Sequence, residues 1–223
     1  MKYNKKAIIF DLDGVICFTD KFHYQAWKAL ADRLGIYFDE KINDRLRGVS
    51  RMASLEIILE KSSKQYSDKE KAALAEEKNN TYRELLKNMT PADLSQEVWD
   101  TLNELRGRGY KLAIGSSSKN TKFILERIGL GNFFDAIADG TDIVRSKPDP
   151  EVFLYAAKKL GIDPADCAVV EDAKTGIEAA KAGNMTAFAL LGDAKDCGAE
   201  DYNLSSFENL LNILKPQCRK VQH

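Results

Sequence analysis

The chain has 223 residues, 44% of them hydrophobic and 30% charged, enough apolar material for a substantial core in one large domain or a domain carrying an insertion. Lysine and arginine number 33 against 34 aspartates and glutamates, so no global basic field favours nucleic acid or an anionic membrane. Cys17, Cys167, Cys197 and Cys218 are widely spaced, with no Cys-x-x-Cys pair and no histidine at metal-ligand spacing. Reduced thiols, a polar start without a secretory stretch and the lack of a membrane-spanning run point to a cytoplasmic protein, expected to be a monomer with small-molecule partners.

The first predicted element is the apolar run Ala7-Ile8-Ile9-Phe10, a buried strand of a parallel sheet that ends in Asp11-Leu12-Asp13-Gly14. Side chains alternate along a strand, so continued extension puts Asp11 and Asp13 on one side, and Gly14 lets the chain turn away. Alone, this tetrapeptide also reads as an ordinary turn.

From residue 19 to residue 89 the periodicity predicts consecutive helices. Ala26, Trp27, Leu30 and Leu34 form one apolar stripe closed by Gly35, and Met52, Leu55, Ile58 and Leu59 form another. Ser67-Asp68-Lys69-Glu70 is a capping box that opens a third helix. An all-helical domain is therefore expected over 18–90, inserted into an α/β domain made of 1–17 and 91–223. Residues 17–19 and Thr90-Pro91-Ala92-Asp93 form a double linker, a hinge candidate.

Beyond residue 98, short apolar strands at 111–115, 136–138, 167–170 and 186–190 alternate with helices near 98–105, 121–128, 151–160 and 175–182. That alternation predicts a doubly wound, Rossmann-like parallel sheet, covered by a last helix over 207–214. Pro148 is read as a first-turn proline of the helix that follows Lys147.

Chemistry-bearing residues recur where strands end: Asp11 and Asp13, then Ser116-Ser117-Ser118, then Glu171-Asp172, with Lys147 able to reach the same sheet edge. Two carboxylates roughly 4 Å apart repel by about 4 kcal/mol at an effective dielectric near 20. One lysine does not neutralise four such groups, so a hard divalent cation, Mg2+ first, is the expected remedy. The cation offsets charge on an incoming phosphate while Ser116, Ser117, backbone amides and Lys147 hold its oxygens. Asp11 is then the carboxylate nucleophile and Asp13 the general acid and base.

Asp11-Leu12-Asp13-Gly14-Val15, Ser116, Lys147 and Glu171-Asp172 resemble, in order and separation, the four motifs of the haloacid dehalogenase superfamily, and the resemblance covers essentially the whole chain. It implies that the helical segment is a cap, and that Asp11, the Asp13 main-chain carbonyl, Glu171 and Asp172 surround the metal. A narrower resemblance, to the β-phosphoglucomutase family, rests on Leu46-Arg47-Gly48-Val49-Ser50-Arg51, Ser116 to Asn120, and Phe134-Asp135-Ala136-Ile137-Ala138-Asp139. It implies that Arg47, Gly48, Val49, Ser50 and Arg51, with Ser118, Lys119 and Asn120, bind substrate and grip the phosphate that is not transferred. Thr19, His23, Trp27 and Lys78 are implied as hinge and cap residues.

Arg47 stands where a lysine is often found, which keeps charge but changes geometry, and Phe18 stands where a polar residue is common. Duller readings stay open: a structural hydrogen bond for His23, surface pairing for Lys78, a solvated helix position for Arg51, and a shaping role for Glu171 in place of metal binding through water. Cys17 reads as a small apolar filler. The activity implied is a Mg2+-dependent phosphohexomutase interconverting β-D-glucose 1-phosphate and glucose 6-phosphate through an aspartyl-phosphate and a 1,6-bisphosphate. The alternatives are a sugar-phosphate phosphatase on the same scaffold and a signalling receiver module; the latter explains neither Asp13 nor an insertion far longer than an ordinary loop.

Overall fold

The computed structural model describes residues 5–46 and 49–217. They form two compact units: one holds the stretches up to Phe18 and from Thr90 onward, the other is Thr19–Met89. Strand β1 (Ala7–Phe10) is buried at all four positions, as its unbroken apolar run requires.

The second unit contains α1 (Asp20–Leu34), α2 (Glu40–Asp44), α3 (Arg51–Leu59) and α4 (Asp68–Leu86). Helix α1 stops at Gly35, whose φ of 69° lets its amide turn back to the carbonyls of Ala31 and Asp32. Helix α4 starts at the predicted capping box: the Ser67 amide donates to the Glu70 carboxylate at 2.8 Å, and the Glu70 amide donates to Ser67 Oγ at 3.4 Å. Trp27, Leu30, Phe38, Leu55, Ile58 and Leu74 are in the core of this unit. Met52, predicted in the apolar stripe of α3, is instead 42% exposed. Helix α2 was not predicted because none of its residues is buried, which leaves no apolar period to read; it starts where Asp39 Oδ1 accepts from the Ile42 amide at 2.9 Å.

In the first unit, β1 joins β2 (Lys111–Gly115), β3 (Ala136–Ala138), β4 (Cys167–Glu171), β5 (Thr186–Ala189) and β6 (Tyr202–Asn203) in one sheet of order β3-β2-β1-β4-β5-β6. Every pairing is parallel, and Phe10 lies opposite Ile114 of β2 and Val170 of β4. The associated helices are α5 (Gln96–Gly107), α6 (Thr121–Arg127), α7 (Glu151–Leu160), α8 (Lys174–Ala182) and α9 (Leu210–Ile213). The chain runs outward from β1 to β3, then returns to lay β4 on the other side of β1. The carboxyl ends of β1 and β4 therefore flank the switch point where open parallel sheets bind ligands.

Two further expectations are corrected, and one strand is added to the sheet. The last helix is confined to Leu210–Ile213: the amides of Asn209, Leu210, Leu211 and Asn212 bond three residues back, which keeps this stretch in tight turns. Phe207 still covers the sheet, its ring stacked on Phe10 at 5.6 Å. Helix α7 begins at Glu151 with Pro150 at its cap, so Lys147 and Pro148 lie in the preceding turn, joined by a cis peptide bond. Strand β6 is two residues long, too short for an alternation signal, and its Tyr202 stacks on Phe188 at 4.9 Å. Among the described residues, no helix is long and apolar enough to cross a membrane.

Ile9 is fully buried in β1 between β2 and β4. Ile9→Ala is expected to lower the unfolding free energy in urea titration by roughly 2–5 kcal/mol through loss of buried methylenes and the cavity left behind.

Candidate active site

The Asp11 amide donates to the Val170 carbonyl at 3.0 Å, extending the β1–β4 register by one residue and setting Asp11 beside Glu171. The chain then turns tightly: Leu12 O accepts from the amides of Ile16 and Cys17 at 2.9 and 3.1 Å, and the Gly14 amide donates to Cys17 O at 2.8 Å. Gly14 has φ of 88°, and a Cβ there would fall 2.1 Å from Asp172 Oδ2. Glycine is thus required on two counts, backbone conformation and the approach of the Asp172 carboxyl. Cys17, 1% exposed beneath this turn, has its thiol pushed well above the usual range by burial and by Asp13 and Asp11, which suits the filler reading.

Lys147 is the hub of the site. Its Nζ donates to Asp11 Oδ1 and to Glu171 Oε1, and the three side chains are 9%, 11% and 1% exposed. Burial alone would favour a neutral amine, but Asp11 and Glu171 outweigh it and hold Lys147 protonated above its ordinary value. The other oxygen of Glu171 accepts from the amides of Asp172 and Ala173, each at 2.9 Å. Both Glu171 oxygens are therefore engaged within the protein. Helix α8 makes room for this carboxylate with Gly176, where a Cβ would lie 1.9 Å from Glu171 Oε1.

The cluster is short of positive charge. Burial, then Glu171, Asp11 and Asp13, push the Asp172 carboxyl up to about 8, with Lys147 opposing. Among the described residues, no three carboxylate, imidazole or thiol side chains form a ready ligand set for a metal. A cluster of hard oxygen donors with excess negative charge nevertheless fits an ion that uses one or two carboxylates and keeps its remaining positions for water and phosphate, as Mg2+ does.

Beside this cluster, β2 delivers its serines. Ser116 Oγ accepts from the Ser118 amide and Ser118 Oγ from the Asn120 amide, both at 3.2 Å, and Thr121 Oγ1 donates to Ser118 O at 2.8 Å. Ser117 Oγ is buried without a hydrogen-bond partner, a group whose burial calls for an acceptor such as an anion oxygen. Lys119 is exposed and Asn120 buried.

The second unit holds a separate polar cluster. Lys78, 3% exposed, has its Nζ 2.9 Å from His23 Nδ1, 4.7 Å from the Trp27 ring centroid and 4.6 Å from that of Tyr82. Surface pairing, the dull reading of Lys78, is excluded by that burial. The Tyr82 ring lies against His23 with centroids 4.1 Å apart and planes tilted by 31°, and its hydroxyl donates to Thr19 Oγ1 at 2.9 Å. Arg51 donates to Asn79 Oδ1 at 2.9 Å and lies 3.7 Å from Glu76, so it is a half-buried residue of a network and no simple solvated position. Ser50 caps α3, its Oγ accepting from the Ala53 amide at 3.2 Å. Val49 is 42% exposed, as is Phe18 at 57%; Arg47 and Gly48 lie outside the described residues. Sequence reading missed Asn79 and Tyr82, although they share the buried face of α4 with Lys78 at helical spacing, where polar residues at core positions are a usable signal.

A carboxylate at a strand end beside a buried lysine, with an unsatisfied serine hydroxyl and an acidic cluster suited to a dication close by in the same sheet edge, has the groups that phosphoryl transfer requires. Residues 5–184 match the haloacid dehalogenase-like hydrolases, and the chain belongs to that family. A β-phosphoglucomutase of Bacillus subtilis strain 168 is 44% identical over 184 residues, 82% of this chain and 81% of that protein. A phosphorylated carbohydrates phosphatase of Thermotoga maritima is 31% identical over 220 residues, 94% of this chain and 98% of its own length. The crystal structure of a β-phosphoglucomutase from Clostridium difficile is similar at a TM-score of 0.84 and 38% identity, covering 92% of this chain and 93% of that one.

Gly176→Ala tests the room made for Glu171. Alanine is favoured over glycine inside a helix by about 1 kcal/mol, yet the clash with Glu171 is expected to lower the thermal midpoint; a higher midpoint would show that the carboxylate moves aside freely. A second test concerns His23, which burial, then Lys78 and Arg51, hold well below its ordinary value of 6.5. The unfolded chain takes up a proton near pH 6.5 that the folded chain refuses, so this group's contribution to stability falls as pH drops below about 6.5. Imidazole NMR shifts of His23 are expected to stay those of the neutral ring at pH values where an ordinary imidazole is already protonated, and a midpoint at the ordinary value would contradict this.

Proposed function

We propose that this protein is a β-phosphoglucomutase, interconverting β-D-glucose 1-phosphate and glucose 6-phosphate through β-glucose 1,6-bisphosphate as a monomeric cytoplasmic enzyme. The 44% identity to the Bacillus subtilis enzyme across most of both chains carries the reading. Asp11, adjacent to the Lys147 ammonium at the sheet's switch point, supports it with a nucleophile in place.

In this reading Asp11 carries a phosphoryl group as an acyl phosphate. The 6-hydroxyl of β-glucose 1-phosphate attacks that phosphorus, Asp13 takes the hydroxyl proton, and the carboxylate of Asp11 leaves. After the bisphosphate reorients, Asp11 attacks the phosphorus at O1, and Asp13 returns the proton to the departing O1, which releases glucose 6-phosphate. Lys147, Ser116 and Ser117 hold the oxygens of the transferring group, the unsatisfied Ser117 hydroxyl finding its acceptor there. Arg51, with Ser118, Lys119 and Asn120, takes the phosphate that stays on the sugar, a guanidinium being suited to bidentate phosphate contact. Arg47, Gly48, Val49 and Ser50 are assigned to substrate binding on the family resemblance, and Thr19, His23, Trp27 and Lys78 to the hinge and cap.

Mg2+ would be held by Asp11, Asp172 and the Asp13 main-chain carbonyl, and when bound it supplies charge neutralisation for the phosphoryl oxygens. Glu171, its oxygens occupied by Lys147 and two amides, is assigned to holding Lys147 and the Asp172 backbone in place, and not to direct ligation.

The test is product analysis. Purified protein with Mg2+, β-glucose 1-phosphate and a trace of the bisphosphate is expected to yield glucose 6-phosphate with little inorganic phosphate. Release of mainly inorganic phosphate would select a phosphatase, the activity named for the Thermotoga maritima relative. Asp11→Asn is expected to abolish turnover, a loss beyond about 10³-fold since the nucleophile itself is removed.

A further inference from the structure

We infer that Phe153 is a positioning residue for Lys147, and that residue 115 is glycine in order to admit the Phe153 ring. The inference rests on the reading of Lys147 as a ligand of the transferring phosphate.

Phe153 lies in the first turn of α7, its amide bonded to the Pro150 carbonyl at 3.1 Å and its side chain wholly buried. Lys147 Nζ sits 4.6 Å from the centroid of that ring while it contacts Asp11 and Glu171. An ammonium within about 6 Å of an aromatic face is attracted by the ring's electron density, more strongly when water is excluded. The two carboxylates set the direction of the ammonium, but its stem is a flexible four-carbon chain. A rigid ring in contact with the ammonium supplies a third constraint on where the charge rests.

The last residue of β2 is shaped for the same ring. A Cβ on Gly115 would lie 2.6 Å from Phe153 Cδ1, 2.9 Å from Cε1 and 3.0 Å from Ile9 Cγ2. Any side chain at 115 therefore displaces the ring or the strand. Gly115 directly precedes Ser116, so one strand end both admits the ring that positions the lysine and starts the serine segment. A misplacement of about 1 Å in a group that orients a reacting phosphate can cost up to 10²-fold in rate.

The experiment replaces Phe153 site-specifically with mono-, di- and trifluorinated phenylalanine, which keeps ring shape but drains charge from its face. Urea unfolding is compared in the natural chain and in Lys147→Met. Fluorination is expected to weaken the natural chain stepwise and leave Lys147→Met unmoved, a non-additivity of about tenfold in the unfolding constant for the full series. Turnover is expected to fall in parallel, about threefold to tenfold in kcat with KM changed by less than about twofold, since the phosphate that stays on the sugar is held by other residues. Additive stabilities, or a kcat indifferent to fluorination, overturn the inference. A non-additive cycle in a protein that makes neither glucose 6-phosphate nor inorganic phosphate overturns the proposed function and leaves the ring-to-ammonium contact standing. Should Lys147→Met fail to fold, Gly115→Ala decides: a kcat at least about tenfold lower supports the positioning role, and a natural kcat overturns it.

Discussion

A single ammonium set between two buried carboxylates organises the sheet edge. Taking Lys147, Asp11 and Glu171 out of water carries a large desolvation cost, which is offset only while the three remain in contact and the leftover oxygens are hydrogen-bonded. The fold meets that condition from several sides. Parallel pairing of β1 and β4 puts Asp11 and Glu171 at the same level, the turn from β4 into α8 supplies two amides to Glu171, and a glycine in α8 removes the side chain that would collide with it. Removing the lysine would leave buried charge uncompensated, a change that typically costs 3–5 kcal/mol.

That arrangement accounts for the remaining imbalance. Glu171 and Asp11 share one lysine and Asp13 stands near them, so burial, then these neighbouring carboxylates, drive the Asp172 carboxyl upward. Such a cluster is costly at rest and favourable once positive charge enters, which is the electrostatic profile expected where a dication and a phosphoryl group meet. The unsatisfied hydroxyl of Ser117 belongs to the same pattern: a buried donor kept without an internal partner.

The helical unit buries a lysine as well. Lys78 is more deeply buried than Lys147, and its ammonium meets two aromatic faces and an imidazole nitrogen. Pairing with His23 Nδ1 leaves that imidazole neutral and fixes which nitrogen accepts, so His23 is better read as an oriented hydrogen-bonding group than as a proton carrier.

Sequence by itself determined the sheet and the chemistry at its edge. Continuous apolar runs such as Ala7–Phe10 have one stable home, a strand buried on both faces, and the carboxylates, serines and Lys147 that follow or approach these runs are carried to one end of the sheet by parallel topology. The caps at Gly35 and Ser67 were equally legible, because their signals are local. Tertiary structure alone decided the features that depend on distant neighbours. Helix α2 and strand β6 have no periodic signal, the tight turns before Leu210 depend on Phe207 seating against Phe10, and Met52 faces outward because the core of its unit is filled by other residues. The same holds for Glu171, whose oxygens are claimed by a lysine 24 residues away and by two amides, and for Tyr82, which meets Thr19 63 residues earlier. Residue type and spacing state which groups are available, but which donor reaches which acceptor is settled only when packing brings the segments together.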